Sequence, residues 1–169
     1  MLVAMVLAVT FAMSQSIEDL TAILSGTPEL TVTEPESGFP VIEVQTPVSA
    51  ATIALHGAQV LTWAPTDHPP VLYVSPKAKM NEGKALRGGI PICWPWFGNH
   101  PDDPEMPAHG FARTRFWELV SGEMVGKMAT LVFKLVSDEE TKALFPFDFE
   151  LTATIRIADK LRVKLNMKN

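Results

Sequence analysis

The sequence of 169 residues lacks several features that define common classes of binding protein and enzyme. Its single cysteine, Cys93, excludes an intrachain disulfide framework and a cysteine-rich zinc site, and we interpret it as a small buried hydrophobic residue. There is no block of Lys and Arg and the net charge is −5, which argues against nucleic acid as the main partner. No P-loop, dinucleotide fingerprint, nucleophile elbow or HExxH motif occurs. These absences still allow a small anionic ligand, which needs only two or three well-placed cations.

Long apolar runs are also lacking, apart from residues 2–13 at the N-terminus. This run is too short to span a bilayer as a helix. A signal peptide has Lys or Arg before its apolar run and a small-x-small cleavage site after it, and this run has neither in convincing form. We therefore interpret residues 1–13 as an apolar extension, with Met13 as an alternative start. The expected location is cytoplasmic without a membrane partner, and secretion is the alternative.

Residues 14–28 are predicted to form a short helix and a linker. Ser16 is a candidate N-cap, and Asp19 at the third helical position completes a capping box. Apolar residues then fall on one face, and Gly26 and Pro28 end the pattern.

From residue 29 to residue 169 the periodicity is that of strands, so we predict one all-β, mostly antiparallel sandwich domain. Strands are expected at 29–34, 40–46, 49–56, 58–64, 71–74, 115–121 and 128–137, with a helical turn at 138–144 and a hairpin over 148–168. In the hairpin every second residue is apolar, which predicts one buried and one solvated face for both strands. Because the last strand would leave a long exposed edge at Asn169, we expect further sequence after it.

Residues 84–113 have no regular period and many glycines and prolines, which is typical of a functional loop. Two segments stand out, LRGGIPICWPWFG at 86–98 and MPAHGFARTRFW at 106–117. Arg87 and Arg113 provide planar guanidinium groups that bind a phosphate through two hydrogen bonds. His109, beside Gly110, can donate a hydrogen bond to a hydroxyl group or move a proton.

The other residues of these segments have a structural and a functional interpretation. Trp94 and Trp96 either stack on the C–H face of a pyranose or belong to the core. Phe97, Phe111 and Trp117 are interpreted as core residues. Lys84 and Gln59 are weaker candidates for ligand contacts, whereas His56, His68 and His100 are interpreted as structural. The acidic run at 102–105 is interpreted as a solvated loop, and no spacing typical of a metal site is present.

The motifs RGGIPICWPWFG and PAHGFAR, followed by a tryptophan, resemble the signature of the glucose-6-phosphate 1-epimerases. This family, also called hexose-6-phosphate mutarotases, belongs to the galactose-mutarotase-like superfamily. HGAQVLTW at 56–63, LYVS at 72–75 and GKALRGGIP at 83–91 follow in the same order, so the resemblance covers residues 29–169. It implies the family's large β-sandwich (supersandwich), of which this chain would be the N-terminal portion.

The resemblance further implies interconversion of the α and β anomers of an aldohexose 6-phosphate, without metal or organic cofactor. Arg87 and Arg113 match arginines that bind the substrate, and His109 matches a histidine of the sugar pocket. A glutamine that precedes this histidine in some members is Ala108 here. The family's glutamate base and the histidine acid of an HTYF-like motif have no counterpart in this sequence. We therefore expect an incomplete, inactive enzyme. The alternatives are a non-catalytic protein that binds sugar phosphates or a partner protein, and a substrate without phosphate, against which the two arginines argue.

Overall fold

The computed structural model describes residues 15–34, 39–75, 78, 81 and 83–169. The predicted apolar extension at 1–13 lies outside the described residues. The elements, in chain order, are α1 (Ile17–Leu24), β1 (Leu30–Thr33), β2 (Val41–Gln45), β3 (Ser49–Ala54), β4 (Gln59–Pro65), a 3-10 helix (Ala112–Thr114), β5 (Glu118–Val125), β6 (Met128–Val136), α2 (Glu139–Leu144), β7 (Glu150–Ile157) and β8 (Leu161–Lys168).

The strands form two antiparallel sheets of four, in the orders β1-β2-β3-β4 and β5-β6-β7-β8. All neighbouring strands are consecutive in the chain, so each sheet is a meander of hairpins. This confirms the predicted all-β, antiparallel architecture.

The hydrophobic core draws residues from both sheets. Ile53 of β3, Leu131 of β6 and Ile155 of β7 belong to one cluster and are fully buried. Each such side chain stabilises the fold by about 2 kcal/mol relative to an exposed position. The alternating pattern of the sequence thus fills the space between the sheets.

Helix α1 packs against β1 and β5 and forms as predicted. The Ser16 hydroxyl accepts a hydrogen bond from the Asp19 backbone N–H, and the Asp19 carboxylate accepts one from the Ser16 N–H in return. Leu20 and Leu24 are buried in the core. None of the helices in the described part of the chain is long and apolar enough to cross a membrane.

Three details differ from the prediction. Residues 71–74 form no strand, since only a single bridge, between Val74 and Gly88, involves them. Strand β5 begins at Glu118, since the residues before it pair instead with the turn after β3.

The third difference concerns β8, whose apolar face is not buried. Val163, Leu165 and Met167 are 36%, 38% and 57% exposed, although each pairs with a buried residue of β7. No strand in the described residues pairs with the other edge of β8. The alternation indicated the strand correctly, but burial depends on what lies over the face.

Candidate functional site

The two segments singled out in the sequence line one cavity of about 960 Å³. Its lining includes Lys84, Arg87 and Gly88 from the first segment and its approach, and His109 and Arg113 from the second. No Asp or Glu is among the described residues that line the cavity. The described part of the cavity wall therefore has three cations and no acidic counterion, which favours an anionic ligand.

Arg113 lies in the 3-10 helix Ala112–Thr114, directly after residues 109–111. Its Nη2 donates a hydrogen bond of 2.7 Å to the carbonyl oxygen of Ala108. Its Nε is buried and has no hydrogen-bond partner in the described chain. One donor thus orients the guanidinium group, and the half-buried Arg113 side chain lines the cavity.

Arg87 is exposed and forms no ion pair within the described residues. The loop that presents it packs tightly against residues 73–75. The Arg87 carbonyl oxygen accepts a hydrogen bond from the Ser75 N–H. Gly88 approaches Tyr73 so closely that a Cβ on Gly88 would lie 2.3 Å from the Tyr73 carbonyl oxygen. Gly88 also has a φ of +121°, so a side chain there would be strained as well as blocked.

His109 has a left-handed backbone, with a φ of +67°, which is uncommon for a residue other than glycine. Its N–H donates to the Gly98 carbonyl oxygen at 2.6 Å, and its Nδ1 accepts a hydrogen bond of 3.1 Å from the Gly98 N–H. An accepting Nδ1 carries no proton, so in the neutral ring the proton lies on Nε2. These two bonds hold the strained residue in place and make His109 a hydrogen-bond donor through Nε2.

Trp94 and Trp96 do not line the cavity. Trp94 packs among Phe111, Phe145 and Phe149, with ring centroids 4.5 to 5.6 Å away, and Trp96 donates its indole N–H to the Pro107 carbonyl oxygen. Both tryptophans are partly buried and pack against the hydrophobic core. Their predicted stacking on a sugar gains no support from this geometry.

The prediction for Phe97 is wrong, because its side chain is 80% exposed and not part of the core. Its ring lies edge-to-face against His109, with 4.8 Å between the centroids. Phe111 and Trp117 are 3% and 1% exposed, as predicted for core residues. The presence of aromatic residues in the motifs does not distinguish these environments, since only the fold of the loop decides which ring is buried.

Arg115, two residues after Arg113, is buried and has a different role. Its guanidinium group contacts the carboxylates of Asp138 and Glu140 at the start of α2. Burial acts to raise the pKa of Asp138, but hydrogen bonds from Thr141 and the charge of Arg115 outweigh it and lower this pKa. Arg115 therefore anchors α2 to the motif and does not face the cavity.

His56 is fully buried beneath the site, stacked on Phe39 and edge-to-face against Phe116. Burial lowers its pKa from 6.5 to about 4, and the backbone of Thr114 acts weakly in the opposite direction. Within the described residues, neither ring nitrogen has a hydrogen-bond partner of normal geometry. The structural interpretation of His56 fits this position, but nothing in its sequence neighbourhood indicated its closeness to the Arg113 segment.

Metal ligation finds no support in the described residues. They contain no group of three or more His, Cys, Asp and Glu side chains placed to hold a metal ion. The acidic run at 102–105 is exposed, as predicted for a solvated loop. Two of its backbone N–H groups, of Asp102 and Asp103, donate to the ring of His100.

The two sheets and the loop-lined cavity define a mutarotase-like β-sandwich. The crystal structure of YeaD from Salmonella typhimurium, described provisionally as a mutarotase, matches with a TM-score of 0.81 and 36% sequence identity over 85% of this chain and 48% of that one. The structure of HI1317 matches with a TM-score of 0.70 and 33% identity over 83% of this chain and 48% of the other.

The chain belongs to the Aldose 1-epimerase family, whose sequence profile matches residues 40–169. A protein of Escherichia coli K12 that bears the provisional name glucose-6-phosphate 1-epimerase is 40% identical over 124 residues. That alignment covers 73% of this chain and 42% of the relative. The comparisons confirm the resemblance found in the sequence, and the chain spans less than half the length of these relatives.

Proposed function

We propose that this chain carries the substrate-binding part of an enzyme that interconverts the anomers of an aldohexose 6-phosphate, with glucose 6-phosphate as substrate. One observation carries the proposal: Arg87 and Arg113 line the same cavity as His109, with Lys84 at its wall and no carboxylate among the described lining residues. A phosphate group fits such a cavity because guanidinium groups form paired, charge-assisted hydrogen bonds to its oxygens. The names of the relatives support the same substrate.

Anomerisation opens the hemiacetal ring, turns the exposed aldehyde carbon and closes the ring again. One group removes the proton of the anomeric hydroxyl, and another protonates the ring oxygen. The Nε2–H of His109 is suited to donate a hydrogen bond to an oxygen of the sugar, since the Gly98 N–H fixes this tautomer. The two arginines would hold the phosphate and so orient the ring toward His109.

The residues expected to transfer protons, a glutamate and a second histidine in an HTYF-like motif, have no counterpart in this sequence. We therefore propose that the 169-residue chain binds the sugar phosphate but does not accelerate its anomerisation. The same observation is compatible with a non-catalytic sugar-phosphate-binding role, and activity decides between the two.

Calorimetry with glucose 6-phosphate and glucose tests the binding. The phosphorylated sugar should bind about tenfold or more tightly, since phosphate adds charge-assisted hydrogen bonds. Equal affinity for the two sugars would overturn the assignment of the phosphate. Polarimetry of freshly dissolved glucose 6-phosphate should show only the spontaneous rate of mutarotation, and a clear acceleration by the purified chain would contradict the proposed lack of catalysis.

A further inference from the structure

The turn between β3 and β4, residues 56–59, lies beneath both arginine-bearing segments. Gly57 and Ala58 both have left-handed backbones, with φ of +76° and +45°, and Ala58 is fully buried. A left-handed alanine costs on the order of 1 kcal/mol or more and persists only where its surroundings impose it. The turn is therefore held by its contacts and not by local preference.

On one side the turn contacts the Arg87 loop through Gln59. The Gln59 side chain is completely buried, and its Nε2 donates to the Gly88 carbonyl oxygen at 2.6 Å and to the Leu86 carbonyl oxygen at 3.4 Å. These two carbonyls belong to the residues on either side of Arg87. The next residue of β4, Val60, continues the attachment by accepting a hydrogen bond of 2.8 Å from the Ile90 N–H.

On the other side the turn contacts the Arg113 segment through its backbone. The Gly57 N–H donates to the Arg115 carbonyl oxygen at 2.7 Å, and the Trp117 N–H donates to Leu55 at 3.0 Å. A Cβ on Gly57 would lie only 2.9 Å from the carbonyl oxygen of Arg113. The 3-10 helix that presents Arg113 thus lies directly on the turn.

The buried amide of Gln59 is expensive, since its Oε1 has no hydrogen-bond partner in the described chain. An unpaired buried acceptor costs about 1–3 kcal/mol, which a purely space-filling apolar residue would avoid. The two arginines that line the cavity carry the same charge, and no acid is among its described lining residues.

We propose that the 56–59 turn sets the spacing of Arg87 and Arg113, and that Gln59 is a positioning residue that acts through Arg87. The inference rests on the proposed function in one respect, namely that the two arginines bind one phosphorylated ligand. Its structural half, the attachment of residues 86–90 to Gln59, is independent of any ligand.

The test is Gln59→Leu, which keeps the volume but removes both hydrogen bonds. The matched control is Thr52→Val, which removes the Thr52 hydroxyl from its hydrogen bond to Glu43 in the same sheet, away from the cavity. Amide hydrogen exchange of the Gly89 and Ile90 N–H groups reports on the loop. Relative to the core strands, Gln59→Leu should accelerate exchange at Gly89 and Ile90 about tenfold over the wild-type chain. Thr52→Val should leave this exchange unchanged.

Affinity for glucose 6-phosphate is measured on the same variants and in an Arg87→Ala background. Gln59→Leu should weaken binding about tenfold in the wild-type background and have no further effect once Arg87 is absent. A purely structural residue would weaken binding equally in both backgrounds. Equal effects in both, or exchange at Gly89 and Ile90 that matches the control, would overturn the inference.

Two further outcomes are covered. If the wild-type chain does not bind glucose 6-phosphate, the proposed function fails, but the exchange measurement still decides whether Gln59 holds the loop. If Gln59→Leu does not fold, Gln59→Asn replaces it, since the shorter amide cannot reach both carbonyls. Wild-type exchange at Gly89 and Ile90 in that variant would refute the attachment.

Discussion

Arg113 and Arg115 leave the same short segment of chain but end in opposite environments. Arg113 donates to a backbone carbonyl, has a buried Nε without a partner among the described residues, and lines the cavity. The side chain of Arg115 is 9% exposed and contacts two carboxylates at the start of α2. Among the described residues, one guanidinium group thus lines the cavity without an ion pair, and the other is neutralised by two carboxylates.

The difference shows that two arginines in one motif have separate roles, one at the cavity and one in the packing of α2. A charge that is already paired within the protein gains little from an anionic ligand, whereas an unpaired one gains charge-assisted hydrogen bonds. The partners of Arg115 lie more than twenty residues further along the chain, so the division depends on where α2 packs.

The largest expected effect is a loss of stability at low pH, which arises from His56 beneath this segment. Its pKa lies near 4 in the folded chain and at about 6.5 in the unfolded chain, so between these values the unfolded state binds more protons. The free energy of unfolding should therefore fall by about 3 kcal/mol as the pH falls from 7 to 4, and change little from this group above pH 7.

Urea unfolding at a series of pH values measures this loss. His56→Phe, which keeps an aromatic ring against Phe39 and Phe116, is the matched control and should remove that part of the slope. The same slope in both proteins would show that His56 is not the group responsible.

The next effect separates the two arginines by stability. Arg115→Ala should lower the free energy of unfolding by about 2 kcal/mol, because it leaves Asp138 and Glu140 without their buried partner. The expected loss is below that of a fully buried ion pair, since these carboxylates are about half exposed. Arg113→Ala should cost about 0.5 kcal/mol, because it removes only one hydrogen bond to a backbone carbonyl. Thermal or urea unfolding of both variants checks the order. Equal losses would remove the distinction.

Arg113→Ala should have the smallest effect on stability but a clear effect on ligand binding. Arg113→Ala should weaken the affinity for glucose 6-phosphate about tenfold or more while the fold persists. Arg113→Lys should recover only part of it, because an ammonium group cannot form the paired hydrogen bonds of a guanidinium. Calorimetry on the two variants, with circular dichroism as the control for folding, gives the result. Unchanged affinity in Arg113→Ala would argue against the phosphate site.

Sequence periodicity predicted the regular elements well, and for a clear reason. In β6 and β7 every second residue is apolar and buried, so local alternation and tertiary burial report the same property. The same signal predicted β8 as a strand but not the exposure of Val163, Leu165 and Met167. Exposure is a property of what covers a face, and no local pattern contains that information.

The candidate site was predictable in part. The motifs placed Arg87, His109 and Arg113 in two loops, and the structure shows that one cavity has all three in its wall. The sequence did not indicate that Phe97 is exposed or that Trp94 and Trp96 pack against the core. Nor did it indicate that Gln59 is attached to Leu86 and Gly88. Each depends on contacts between segments that are distant in the sequence.

By itself, the sequence determined the sandwich and the chemical groups of the site, because strand alternation and the glycine-rich motifs are local properties of the chain. Only the tertiary structure decided which arginine faces the cavity and which is paired with acids. It also decided that the strained turn at 56–59 lies beneath both loops. The physical reason is that charge pairing, burial and close backbone approach arise between segments that folding brings together.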